Sequence, residues 1–283
     1  VDFVFVMLMG SSGSFKSYSK IGITDGGSAT LSASISGGDQ FGLSVCGLGD
    51  LDLDGTPDLA VGSADDDSAT DQGAVYIIFL KNDGTVKSYH MIKATSGDIT
   101  PTLPASGFFG FAIGNLGDIN SDGIQDLIIS SKGQADGFAN AGALWIVSLN
   151  RTVGTVTSFG KISATAGGNS TFSAMIKATD YLGHAVAGIG DLDQDGVPDA
   201  VATMGQAGVS GQLGAVVVLF LKADKTLKGF HRINAADLSP TPGSATQFGW
   251  SVACLGDVNS DGIPDLAVGA TDEAGPGSAT AGA

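Results

Sequence analysis

One nine-residue pattern constrains this chain more than any other feature. It has Asp or Asn at positions 1, 3, 5 and 9 and Gly at position 6, and it occurs four times. The first copy runs through Asp50, Asp52, Asp54, Gly55, Thr56 and Asp58, the second through Asp118, Asn120, Asp122, Gly123, Ile124 and Asp126. The third holds Asp191, Asp193, Asp195, Gly196, Val197 and Asp199, the fourth Asp257, Asn259, Asp261, Gly262, Ile263 and Asp265. Four copies in one spacing mark an internal repeat, and repeats of this length stack as one supersecondary unit each.

Other landmarks keep the same phase. Upstream of each loop stands Phe41-Gly42, Phe109-Gly110, Leu182-Gly183 or Phe248-Gly249, and downstream come Gly73-Ala74-Val75, Gly142-Ala143-Leu144 and Gly214-Ala215-Val216. An aromatic three residues before Ile (Tyr18, Tyr89, Phe159, Phe230) recurs at intervals of 71, 70 and 71 residues. Counting from Phe230 through the C-terminus to Tyr18 adds a further 71, since 283 − 230 + 18 = 71. A fourth Gly-Ala-Val then spans the join as Gly282, Ala283 and Val1.

Each unit reads as four strands. The first leads from the Phe-Gly pair to the Asp loop (41–49), and the second follows it (58–62). The third is apolar throughout (75–80, 144–149, 216–221 and 1–9), and the fourth is more polar (86–92). A strand apolar on both faces is one covered on both faces, whereas a polar last strand suits an exposed edge. The 44 glycines fit tight turns, and no long apolar stretch has the 3.6-residue period of a helix. The expected fold is an all-β propeller of four four-stranded blades in one domain, 1–283. The blades cover about 41–92, 109–162, 182–233, and 248–283 plus 1–21, so that the N-terminal strands complete the last one. The competing reading is four blades of a larger ring completed by other sequence or by a second chain.

The loops point to a hard cation. Alternate carboxylates converge when the backbone turns sharply at position 6, and position 7 (Thr56, Ile124, Val197, Ile263) can add a backbone carbonyl. An all-oxygen donor set without sulfur or imidazole suits Ca²⁺. The loops hold 14 of the 29 acidic residues, and four Ca²⁺ would bring the formal charge from −16 to −8. They are not EF-hands, because Val61 stands where a twelfth-position Glu would be and strands flank the loop.

The Phe-Gly pair, the Asp loop and the Gly-Ala-Val strand start together resemble the FG-GAP repeat of integrin α-subunit propellers. The resemblance implies Ca²⁺ loops on one rim and extracellular recognition or adhesion through exposed loops. It also carries Asp50, Asp52, Asp54, Asp58 and their three counterpart sets over as ligands. Two departures stand out: family rings usually have seven blades where four are counted here, and Leu182 replaces the Phe of the third pair.

Composition narrows the function classes. A net charge of −16 offers no basic face to nucleic acid, and no apolar run reaches the length of a membrane helix. The sequons at Asn150 and Asn169 fit secretion, and Cys46 and Cys254 lie one position out of step, which favours two unpaired, buried residues over a disulfide. His90 and His231 occupy a place that other units fill with Ser19 and Gly160, and His184 reads as a packing residue; no nucleophile–base set emerges. The expected role is non-enzymatic: an extracellular or cell-surface adhesion, protein-interaction or self-assembly module, such as a filament or surface-layer subunit. The loops 64–72, 133–141 and 205–212 differ between blades and offer recognition surfaces. The alternative is a glycan-binding propeller, for which Trp145 and Trp250 are the candidate platforms, although both read as core.

Overall fold

The computed structural model describes residues 2–23, 29–66, 70–96, 98–99, 103–205, 214–239 and 247–271. The Gly282-Ala283-Val1 join and parts of loops 64–72 and 205–212 therefore lie outside the described residues. Sixteen strands account for most of the rest, in antiparallel sheets. The first complete sheet holds β3 (Phe41–Gly49), β4 (Asp58–Ser63), β5 (Ala74–Leu80) and β6 (Val86–Lys93), in that order. The second holds β7 (Phe109–Gly117), β8 (Asp126–Ser131), β9 (Ala143–Leu149) and β10 (Val156–Ser163). The third holds β11 (Leu182–Gly190), β12 (Asp199–Met204), β13 (Ala215–Leu221) and β14 (Leu227–Asn234). Two-stranded sheets are formed by β1 (Phe3–Met9) with β2 (Phe15–Gly22), and by β15 (Gln247–Gly256) with β16 (Asp265–Thr271).

The two ends of the chain each supply half of the expected last blade. A five-residue turn brings β1 against β2, with Gly13 donating to the Gly10 carbonyl at 2.9 Å, and the fourth Asp loop joins β15 to β16; among the described residues each pair stands as a two-stranded sheet. Two short helices, α1 (Ala29–Ser34) and α2 (Ser170–Met175), were not foreseen; Asn169 caps α2 by accepting the Phe172 N–H at 3.0 Å.

The described residues divide into two compact units, 1–111 with 149–157, and 112–148 with 158–283. In the first, Tyr76, Ile78, Leu80 and Val86 pack with Phe41, Leu31 and Ile35, and Val4 and Val6 of β1 close over them. In the second, Leu144 and Ile146 of β9 pack on Val217 and Leu219 of β13. The opposite face of β13, with Val216 and Val218, meets Phe248, Val252 and Val268. Strands β5 and β9 are buried at every position, as a third strand sandwiched between sheets requires. β1 is buried on one face only, and Phe5, Met7 and Met9 are 54%, 62% and 53% exposed.

The paired glycines of the repeat explain each other. Gly73 pairs in parallel with Phe109, and Gly142 with Leu182, so the start of one third strand docks on the Phe-Gly segment of the next repeat. A Cβ on Gly73 would stand 2.2 Å from the Phe109 carbonyl oxygen, and one on Gly142 2.3 Å from that of Leu182. Both glycines have φ near +82°, so space and backbone conformation each exclude a side chain. Register corrects one reading here. Tyr18 lies opposite Met7 as Tyr89 lies opposite Ile78, and the Phe3 carbonyl oxygen meets Gly42 as that of Ala74 meets Gly110. Asp2, Phe3 and Val4 therefore take the places of Gly73, Ala74 and Val75, three residues away from Gly282-Ala283-Val1.

Gly142→Ala is expected to destabilise by about 2 kcal/mol or more, from a left-handed φ plus backbone overlap. Gly55→Ala, where nothing lies within 4 Å, is expected to lose only the conformational part, about 1–2 kcal/mol. Urea unfolding of the two variants checks the order; equal losses would contradict the close-approach account.

Candidate metal centre

Each Asp loop bridges the first two strands of its sheet, and the same hydrogen bonds recur in all four. The position-1 carboxylate accepts two backbone N–H groups, those of positions 5 and 6. Asp50 takes Asp54 at 3.0 Å and Gly55 at 2.9 Å, and Asp118 takes Asp122 at 3.0 Å and Gly123 at 2.7 Å. Asp191 and Asp257 repeat this at 2.8–3.0 Å. The position-5 carboxylate accepts the position-7 N–H, from Thr56, Ile124, Val197 or Ile263, at 2.8–3.0 Å. The position-9 carboxylate reaches back to the N–H of position 2, as Asp58 does to Leu51 at 3.0 Å and Asp126 to Ile119 at 2.7 Å. Asp199 and Asp265 do the same with Leu192 and Val258.

These bonds demand two left-handed residues per loop. Position 6 is Gly, with φ between 78° and 89° in the four copies. Position 4 is also left-handed, at Leu53 (60°), Ser121 (61°), Gln194 (57°) and Ser260 (63°). Sequence reasoning identified the first and missed the second, because Leu, Ser and Gln carry no left-handed signature. An L-residue there costs roughly 1–2 kcal/mol, which the carboxylate–N–H bonds offset.

The carboxylates lie close. Oxygens of Asp50, Asp52 and Asp58 fall within 4.8 Å of one another, as do those of Asp191, Asp193 and Asp195. In the first three loops position 9 is the buried member, with Asp58 2% exposed and Asp126 and Asp199 fully buried, while Asp265 of the fourth is half-buried. The Oδ1 atoms of Asp58 and Asp199 accept the N–H of Leu80 and Leu221, both at 2.9 Å, tying the loop to the end of the third strand. Asp126 Oδ1 is buried without the third-strand N–H that its counterparts accept, and the Ser148 hydroxyl faces the carboxyl instead.

Burial pushes the Asp58, Asp126 and Asp199 carboxyls up, against the backbone N–H groups that face Asp58 and Asp199 and against Ser148 and the Ile119 N–H at Asp126. A carboxyl whose folded pKa is raised favours the folded state when protonated. That contribution fades as pH climbs through the ordinary and then the raised value, unless positive charge meets the carboxylate. Asp54 and Asp195 shift the other way, held down first by Lys87 and Lys228 and then by the Thr56 and Val197 N–H groups. Lys87 Nζ lies 2.7 Å from Asp52 and 2.5 Å from Asp54; Lys228 Nζ lies 2.7 Å from Asp193 and 2.6 Å from Asp195. Neither lysine was singled out from the sequence. Their constant separation of 35 residues from the position-3 Asp was the available signal.

Carboxylate oxygens gathered within 4.8 Å, with no sulfur or imidazole among them, are the donor set a hard divalent cation takes. The histidines lie elsewhere. His90 Nε2 sits 2.9 Å from Asp98, which makes it half-buried and partnered rather than a plain surface residue. His231 is exposed. The His184 ring packs 4.5 Å from that of Trp250, and burial, then Lys132, pushes its pKa down to about 4. Trp145 is buried as expected. Trp250 is 46% exposed, contrary to its reading as core, because it follows the left-handed Gly249 and lies over His184 at the surface. Cys46 and Cys254 form no disulfide; Cys46 is half-buried and Cys254 exposed, where buried residues were expected.

Antiparallel sheets, four of them with an Asp loop between their first two strands, define the class as a repeat-built all-β protein. Comparison with known proteins gives the family. The FG-GAP repeat profile matches residues 41–78 and 248–283. Integrin alpha-3 of Cricetulus griseus is 27% identical over 201 residues, covering 71% of this chain and 17% of that protein. Integrin alpha-2 of Mus musculus is 30% identical over 173 residues, 60% of this chain and 13% of that protein. Integrin alpha pat-2 of Caenorhabditis briggsae is 39% identical over 90 residues, 31% of this chain and 7% of that protein. This chain carries FG-GAP repeats at these residues and is similar to integrin alpha subunits. It spans 17% or less of the length of these curated relatives. A solved rhamnogalacturonan lyase, YesW, overlaps all of this chain and 44% of its own at 15% identity and a TM-score of 0.42, too loose a likeness to carry fold or activity across.

Leu53 is 66% exposed, so Leu53→Asn loses little packing while suiting the left-handed backbone. We expect it to raise stability by about 0.5–1 kcal/mol in urea unfolding; a loss of stability would contradict the strained position 4.

Proposed function

We propose that this chain is a calcium-stabilised β-propeller module, working outside the cell in adhesion or protein–protein recognition and not in catalysis. Four Ca²⁺ are assigned, one per loop. Their ligands are the side chains at positions 1, 3, 5 and 9 and the carbonyl at position 7. The observation that carries this reading is the loop geometry, repeated four times with the same carboxylate–N–H bonds. A solvated acidic turn has no need of that repetition, nor of a buried position-9 carboxylate.

The cation would supply two things. It would neutralise carboxylates held within 4.8 Å, and it would tie them to one centre, so each loop would become a rigid corner between two strands. With affinities of ~10⁻⁴–10⁻³ M and about 1 mM calcium, each site would stabilise by roughly 0.4–1.4 kcal/mol. Cytosolic calcium would leave such sites largely empty, which is why an extracellular or cell-surface setting fits. The similarity to integrin alpha subunits favours a protein partner; self-assembly through copies of the chain is the companion possibility within the same class. Residues 1–283 are assigned to one propeller domain.

Thermal unfolding in about 2 mM calcium and in chelator tests the reading, together with calorimetric titration. We expect a rise in the unfolding midpoint with calcium and a stoichiometry of four, falling to three in Asp126→Asn. A midpoint unmoved by chelator, with no heat of binding, would overturn the assignment.

A further inference from the structure

We propose that Lys87 and Lys228 are built-in counter-cations that hold the first and third loops to the charge, and so to the calcium affinity, of the other two. The inference rests on the calcium reading above and adds to it a division of the four loops into two electrostatic kinds.

The repeats act as controls on each other. Loops one and three carry Asp at position 3, Asp52 and Asp193, and thus four carboxylates each. In both, a lysine bridges the Oδ2 atoms of positions 3 and 5 from the fourth strand of its own sheet. Loops two and four carry Asn120 and Asn259 instead, and thus three carboxylates each. There the Asn side chain makes the bridge itself, its Nδ2 donating to Asp122 or Asp261 at 2.9 Å. Two residues before the aromatic landmark, where Lys87 and Lys228 stand, the second repeat has Thr157. Lys16 holds that place on β2, which belongs to a different sheet from the fourth loop.

The charges agree. Four carboxylates with one ammonium give −3, and three carboxylates alone give −3. One donor group joins positions 3 and 5 in every loop, an ammonium with two bonds in loops one and three and an amide with one in loops two and four. The lysines are 39% and 43% exposed, so each can leave its carboxylates for water when a divalent cation takes them. In the metal-free protein they perform the cation's task in part; in the loaded protein they compete with it. Exposed ion pairs are individually weak, so the effect on affinity is modest and salt-sensitive.

The test is calcium titration of Lys87→Gln/Lys228→Gln against the wild type, with Lys16→Gln as a control, and thermal unfolding of each in chelator. Two of the four sites are expected to tighten about two- to fivefold at low salt. The same variant is expected to unfold at a lower temperature in chelator, and Lys16→Gln to do neither. Asp52→Asn/Lys87→Thr, which rewrites loop one in the manner of loop two, should bind calcium as the wild type does. Four wild-type sites whose affinities are unchanged or weakened in the double lysine variant would overturn this proposal and leave the calcium reading standing. No calcium binding to either protein would overturn both.

Discussion

Three or four carboxylates on nine residues repel one another, and the architecture of each loop is the set of positive ends arranged to meet them. Backbone N–H groups supply the first part: positions 5 and 6 point at the position-1 carboxylate, position 7 at position 5, and position 2 at position 9. Aiming two consecutive N–H groups at one carboxylate requires the left-handed turns at positions 4 and 6. The backbone strain and the carboxylate crowding are therefore one design, since each is tolerable only because of the other. Lysine or asparagine at the position-3 bridge supplies the second part, and a divalent cation would supply the third.

The loop matters to the fold because position 9 is also the first residue of a strand. Asp58 and Asp199 each accept an N–H at the end of the third strand, which locks the loop onto the next strand of the sheet. At the other end of the first strand, backbone packs on backbone between repeats: Gly73 on Phe109 and Gly142 on Leu182. The first strands β7 and β11 are thus fixed at one end by charge and at the other by glycine. The apolar third strands β5 and β9 are buried along their whole length. The signature residues of the repeat mark these two ends of one strand.

Much of this was legible in the sequence because the repeat reports it several times. The loop spacing, the Phe-Gly pair and the apolar third strands gave strand bounds within a residue or two. What escaped has identifiable physical causes. Position 4 is left-handed through the demands of distant N–H groups, and Leu53 itself says nothing of it. Lys87 and Lys228 reach their loops from the far edge of the sheet, 33–35 residues on, where no local pattern points to them. The Gly-Ala-Val at the join was a coincidence of composition in a glycine-rich chain, exposed once the β1–β2 register placed Phe3 opposite Gly22.

The central claim is that a divalent cation completes the charge compensation in each loop. The most direct measurement is the anomalous scattering of crystals grown with calcium. The account predicts a peak in each of the four loops, at about 2.3–2.6 Å from oxygens of positions 1, 3, 5 and 9 and from the position-7 carbonyl. In loops one and three the Lys87 and Lys228 ammonium groups should have withdrawn from their carboxylates. Loops that show no peak, with both lysines still on Asp52, Asp54, Asp193 and Asp195, would contradict it.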